Sequence, residues 1–421
     1  MARTNRYESP EVRTRGLRHR GGLAYLTAYG LEICGLSISA LFCAAIMTRA
    51  GGHENGALLT GCYLALSMMA AAAGIALAPI VMVRWGLARS FGVAIASTGL
   101  AMVALGVVIL LGGPAPVALL AFAPVVGALG GLAGVLNLVV ARAFLGGEDM
   151  SRVSATMSVA SGLAWGLGAL IAGFGLRHVS LGVGPLLGGL LCFPMALLMV
   201  VRPPAGTMPE GHAKGSTTMM HLVRRNARLR AATVVAGLFC VVAIPMAALI
   251  VPIADQLRQT PLIPGAAIVV FAMSLGALAT PIVVGRLAGH GTPLGRAGAA
   301  VVAGGTSMLV MAVVAQMTTG QVQLAIWFGV GIVFGAARFA TRAFLLGTAA
   351  EAVAPENTVV ALAAIRFVSY LAAPIGVLMW GVLVHFISVV PVLYGGAIAT
   401  LILGTVTIWY LRHDVPGTIA S

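Results

Sequence analysis

Twelve apolar runs, each about twenty residues or longer, follow one another along this chain and are long enough to cross a bilayer as helices. They lie at roughly 22–48, 57–83, 91–112, 117–144, 153–175, 181–201, 231–254, 264–285, 297–317, 322–346, 358–381 and 386–411. Hydrophobic residues make up 60% of the chain and charged ones only 9%. A soluble domain needs about a quarter of its residues charged to solvate its surface. Lipid is therefore the solvent, and the expected fold is an all-α membrane protein of twelve transmembrane helices. Glycine and proline recur inside the runs, which membrane helices tolerate and use for close packing.

A net charge of +14 raises the question of nucleic acid. The basic residues, however, fall between the apolar runs, where loops facing anionic headgroups carry them. Placing the N-terminus inside puts Arg3, Arg6, Arg13, Arg15, Arg18, Arg20, Arg84, Arg89, Arg142, Arg152, Arg286, Arg296, Arg342 and Arg412 on the cytosolic side. Only Arg49, Arg177 and Arg258 remain outside. Both termini are thus expected in the cytosol, and no nucleic-acid partner is expected. Lys214 is the only lysine, and with so much Ala, Gly and Val this points to a GC-rich bacterial genome and its cytoplasmic membrane. The first twenty residues, polar and rich in arginine, read as a cytosolic tail and not a signal peptide.

Part of the sequence occurs twice. Arg142-Ala143-Phe144-Leu145 returns as Arg342-Ala343-Phe344-Leu345, and Pro79-Ile80-Val81 with Arg84 returns as Pro281-Ile282-Val283 with Arg286. Fusion of two helical bundles would give this register, and such repeats are a mark of secondary transporters, which rock two bundles around a midplane site. The expected division is a tail (1–21), a six-helix bundle (22–201), a cytosolic linker (202–230), a second six-helix bundle (231–412) and a tail (413–421). The linker begins with Pro203, Pro204, Gly206 and Pro209 and ends in a basic stretch, Arg224 to Arg230. Met219, Met220 and Leu222 there are expected to dip into the inner leaflet.

This arrangement resembles the major facilitator superfamily over essentially the whole chain. The family's loop motif Gly-x-x-x-Asp-Arg-x-Gly-Arg has a counterpart in Pro79 to Leu87, where Arg84 and Gly86 match while Val83 stands at the acidic position. Helix five carries Gly168-Ala169-Leu170-Ile171-Ala172-Gly173, similar to the Gly-Pro-x-x-Gly-Gly signature of the family's antiporters. Ala373-Pro374 with Gly376 occupies the related place in helix eleven. The helix-four arginine of many exporters is missing from a run that instead carries Gly127, Gly130, Gly131, Gly134 and Asn137. The resemblance implies two pseudo-symmetric bundles, alternating access, and a cytoplasmic gate at Arg84, Arg142, Arg286 and Arg342. For these, Glu148, Asp149, Glu351 and Glu356 are the available acids.

Three ionisable residues lie deep inside runs: Glu32, Arg338 and Arg366. An unpaired charge there costs about 2.5–3.5 kcal/mol on the lenient insertion scale, so such residues face a wet cavity or one another. Counted from the cytosolic ends they lie at similar depth, roughly 12–15 Å in at 1.5 Å per residue. Glu32 shares its face with Tyr25, Tyr29 and Ser39. It is either a proton-coupling carboxylate or the fixed partner of Arg366. Arg366, with Tyr370 on its face, either holds Glu32 or binds an anionic substrate group, and Arg338 either binds substrate or snorkels inward. Asn137 either contacts substrate or bridges helices. Trp165, Trp327 and Phe339 offer stacking surfaces. Met68, Met69, Met102, Met157, Met246 and Met273 line an adaptable cavity or fill lipid-facing positions.

The candidate site is thus Glu32 for proton coupling, with Tyr29, Asn137, Trp165, Arg338, Arg366 and Tyr370 for substrate. The leading expectation is proton-driven efflux (antiport) of small hydrophobic or amphiphilic compounds, as in multidrug resistance. Export of one endogenous metabolite, such as a siderophore or antibiotic, and proton-coupled import of an organic anion are the alternatives. No nucleophile elbow, phosphate loop or zinc spacing points to an enzyme, a cofactor or a metal. Cys34, Cys43, Cys62, Cys192 and Cys240 lie within apolar runs and read as free packing thiols. The expected partners are lipids, protons and a small molecule, for a monomer.

Overall fold

A computed structural model of the chain describes residues 10–145, 150–175, 178–204, 219–257, 262–287, 291–354 and 357–413. The first half contains α1 (Gly21–Gly52), α2 (Asn55–Ala78), α3 (Leu87–Leu110), α4 (Ala115–Leu145), α5 (Met150–Gly175) and α6 (Val183–Val201). No loop separates the first two. They belong to one stretch, Pro10–Trp85, that breaks at Gly52, where φ 62° and ψ −165° suit only glycine.

The second half contains α7 (Ala227–Val242, Ile244–Ala248 and Ile250–Gln256), α8 (Leu262–Leu287), α9 (Pro293–Met317), α10 (Gly320–Glu351), α11 (Thr358–Ile387) and α12 (Val389–His413). The sequence predicts one unbroken span over 231–254, but α7 comes in three pieces. Pro245 opens the middle piece, and a proline has no N–H to continue the preceding helix. Eleven helices among the described residues are long and apolar enough to cross a membrane, counting α6, which turns at Leu191 and Cys192 between Val183–Leu190 and Phe193–Val201; α7 is the run left out.

Exposed Arg84, Arg89, Arg142, Arg224 and Arg286 gather at one end of the bundle, the basic end; Arg49 is exposed at the other, the far end. The helix Met219–Arg225 lies at the basic end. Met219 packs on the cluster of Ile75, Ala78, Val135 and Ala363, and Leu222 on the basic-end core. Those two side chains therefore bury against protein and not in lipid as expected, while Met220 is 57% exposed.

Backbone contacts test the duplication directly. A Cβ on Gly131 of α4 would strike the carbonyl of Ala71 in α2, and one on Gly335 of α10 would strike that of Met273 in α8. Likewise Gly74 lies against the carbonyl of Ala128, and Gly276 against that of Ile332. The α2 positions therefore repeat 202 residues on (Ala71 to Met273, Gly74 to Gly276) and the α4 positions 204 residues on (Ala128 to Ile332, Gly131 to Gly335). Pro79 and Pro281 fit the first shift. The Arg-Ala-Phe-Leu pair does not fit the second: it repeats after 200 residues, four short, or about one helical turn. Arg342 thus corresponds to Leu138 and not to Arg142.

Two apolar cores stack along the long axis, and each takes residues from both halves. The basic-end core includes Tyr25, Tyr29, Leu136, Val140, Met157, Ala236, Leu345 and Ile365. The far-end core includes Ile38, Phe42, Ala169, Met246, Trp327, Phe334, Val377 and Trp380. Along each inner helix the residues between these cores form a middle layer.

Candidate functional site

That middle layer holds most of the charges singled out in the sequence. In α1 Glu32 falls between Tyr29 and Ile38; in α10 Arg338 falls between Phe334 and Ala340. In α11 Arg366 and Tyr370 fall between Ile365 and Val377, and in α5 Trp165 falls between Met157 and Ala169.

Glu32 is only 6% exposed, and its Oε2 has no hydrogen-bond partner. Gly35, one turn further along α1, lies against Gly188 of α6, and Cys192 of α6 is within electrostatic range of Glu32. Tyr25 and Tyr29 of its own helix are in range of it as well. No ion pair joins it to Arg366. Helix geometry gives the reason. Tyr25 donates a hydrogen bond to Asn137 Oδ1, which sets the height of α1 against α4. Arg366 Nη1 donates to the carbonyl of Gly134, one turn above Asn137. Glu32 lies two turns above Tyr25, so it sits about 6 Å farther from the basic end than Arg366's contact. The fixed-pair alternative is thereby set aside.

The arginines converge instead on one another. Arg342, Cys240 and Tyr370 are the ionisable groups in electrostatic range of Arg338; Arg342, Tyr370, Tyr29 and Tyr25 are those of Arg366. None is a carboxylate. Arg338 is half-buried among residues of α7, α10 and α11 and does not reach for the surface; its guanidinium also lies 5.9 Å from the ring centre of Phe339. Nε of Arg366 is buried without a partner. Tyr29 is 8% exposed, stacks on Tyr25 with ring centres 6.0 Å apart, and has Arg342, Arg366 and Glu32 in range.

Asn137 is buried, and its amide oxygen is taken by Tyr25, which makes it a bridge between α1 and α4. Trp165 is 36% exposed although it points inward. Gly162 and Gly166 on one side of it pack on α8, Gly168 on the other side packs on α1, and Trp165 faces the space between. Ser37 anchors its carbonyl at 2.7 Å. Trp327 offers no stacking face: it is fully buried, and its Nε1 donates to the carbonyl of Met311 at 3.1 Å. The methionines are mostly core as well. Met102, Met157, Met246 and Met273 are buried, and Met69 is exposed.

Of the expected gate, Arg84, Arg142 and Arg286 are exposed at the basic end, while Arg342 is exposed but belongs with Arg338 and Arg366. Glu148, Asp149 and Glu356 lie outside the described residues. The five cysteines are free. Sequence reasoning named Gly134 and Cys240 without placing them at the site, and missed the central place of Arg342. A signal existed for the last: Arg338 and Arg342 stand four apart, on one helix face. A separate cavity of about 270 Å³, near the far end between α7, α11 and α12, has no ionisable group in its lining.

No model of a known protein family and no curated protein matches the chain by sequence. Solved structures do match. A mutant of the nucleoside transporter NupG aligns with a TM-score of 0.69 at 12% identity, over 92% of this chain and 99% of that one. The unmutated NupG structure gives 0.66 at 13%, over 94% and 100%. The human organic anion transporter MFSD10 (TETRAN) gives 0.62 at 14%, over 93% and 99%. Identities this low carry the architecture alone: the chain has the major facilitator superfamily fold, twelve helices in two pseudo-symmetric bundles.

Proposed function

We propose that this chain is a secondary transporter, working by alternating access in a bacterial cytoplasmic membrane with its basic end and both termini in the cytosol. Its cargo is a small amphiphilic compound, moved outward in exchange for protons. The fold supports the general reading, since the structures it matches are named as transporters. Apolar cores that draw on both halves lie on either side of the middle layer, and alternating access requires the contacts on each side to open in turn. The coupling reading rests on one observation, the burial of Glu32 with no cation to neutralise it. An unpaired charge is costly at such a place, and exchange of a proton is a way for a carboxyl to avoid that cost. When the bundles rearrange and water reaches it, the proton can leave.

The test uses purified protein in proteoliposomes under an imposed pH gradient and a panel of amphiphilic compounds. Wild-type protein should concentrate a compound against its gradient. Glu32→Gln should lose that accumulation while keeping passive exchange of the same compound. Unchanged accumulation in this variant would remove the coupling role. A second reading, proton-coupled uptake of an organic anion, is favoured by the grouping of Arg338, Arg342 and Arg366. Efflux and uptake predict opposite signs of accumulation in vesicles of known orientation.

A further inference from the structure

Three guanidinium groups come together from α10 and α11, and among the described residues neither Arg338 nor Arg366 has an acid in range. Arg338 and Arg342 project from α10 one turn apart, and Arg366 comes from α11 with Tyr370 one turn beyond it. Gly134 of α4 closes the far side. A Cβ there would stand 3.0 Å from Arg366 Nη1, and its carbonyl takes a hydrogen bond from that nitrogen. One bond leaves the guanidinium under-used: it has five N–H donors, and its Nε is buried without a partner. Glu32, the acid of the layer among the described residues, is not among the neighbours of Arg338 or Arg366, although it shares Tyr25 and Tyr29 with Arg366. Positive charge inside a bilayer is retained where it pairs or binds something. Among the described residues no carboxylate lies in range of Arg338 or Arg366.

Accordingly, resting on the transporter reading above, we infer that the middle layer binds the anionic group of the transported compound, with Arg338, Arg342 and Arg366 as its counter-charges. The substrate class is a small organic anion carrying an apolar or aromatic body. A planar carboxylate suits the paired donors of a guanidinium, which is why arginine and not lysine serves such sites. Tyr29 and Tyr370 add hydroxyl donors beside the arginines. Trp165, facing the layer from α5, supplies a surface for the body of the ligand. The two halves then divide the work, with the anion on the second bundle and the proton on Glu32 of the first.

Matched triplets of ligand test this: the carboxylate, the neutral carboxamide and the methylammonium form of a benzene, a naphthalene and an octyl body. Binding is read as thermal stabilisation of the purified full-length protein, and transport as flux into proteoliposomes. The carboxylate should bind roughly 10-fold to 100-fold more tightly than its amide, the span expected for hydrogen bonds to a charged group. The ammonium form should not bind. Arg338→Gln and Arg342→Gln should each erase most of that preference, while Arg89→Gln, on the surface of the basic end, should keep it. Arg366→Gln should do the same but also loosens the contact with Gly134, so the wild-type charge preference is the decisive reading. Equal binding of carboxylate and amide in every triplet would overturn the inference. Gradient-driven flux of the ammonium forms would also overturn it while leaving the transporter reading intact. Carboxylate binding with no flux of any compound would do the reverse.

Discussion

Helices α4 and α10 occupy equivalent places and make the same backbone contacts, yet they differ in what they carry. Gly131 and Gly335 each press a bare Cα against the carbonyl of a partner helix. In the same register Gly134 corresponds to Arg338 and Leu138 to Arg342. A similar step links α5 and α11, where Gly168 packs on the carbonyl of Cys34 and Gly376 on that of Val241; Ser158 then corresponds to Arg366. The scaffold is duplicated, and the chemistry is not. Contacts that set helix crossings recur because a backbone approach tolerates no side chain, whereas positions at and beside the middle layer have diverged to put arginine in one half and a carboxyl in the other.

The largest effects should come from breaking what the halves share. Gly131→Leu and Gly335→Leu both force a side chain into a backbone carbonyl, at a cost of about 3 kcal/mol or more, the upper range for over-packing. Yield of monodisperse protein and its melting temperature should fall alike in the two variants. A large loss in one alone would mean that the halves are not equivalent at this crossing.

Next in size is the contrast within the repeated tetrad. If identity of sequence decided role, Arg142 and Arg342 would behave alike. Their depths differ by about one turn, and only Arg342 has Arg338 and Arg366 in range. Arg342→Gln should therefore weaken carboxylate binding about tenfold, while Arg142→Gln should leave it within about twofold, because an exposed charge at the rim is screened by salt. Similar losses in both would return Arg342 to a gate.

Much of this was legible in the sequence, and the failures have physical causes. Apolar runs located the helices because lipid leaves a chain little choice. Glu32, Arg338 and Arg366 stood out because charge in such runs is expensive. The breaks in α7 escaped because Pro245 stands in a run whose hydropathy is uninterrupted. Arg342 was misplaced because a four-residue slip turns a helix by only about 40°, so a tetrad can recur out of register and still look like a faithful repeat. Trp327 and the methionines misled for a related reason. In a helix apolar on every side, residue type does not reveal which side faces the core.

The smallest expected effect separates the two roles open to Asn137. Its amide oxygen accepts from Tyr25, whereas Thr341, at the corresponding place in α10, bonds only the carbonyl of Ala337 in its own helix, at 2.8 Å. The first bundle has an inter-helical tie where the second has none. Tyr25→Phe should cost about 1 kcal/mol of stability, the net worth of one buried hydrogen bond, and Thr341→Val less, since it frees no group on another helix. Neither should change the affinity for a carboxylate ligand. A shift of affinity in Tyr25→Phe without a shift in melting temperature would mean that Asn137, released from its tie, reaches the ligand, and that the two bundles share the binding layer more evenly than their charges suggest.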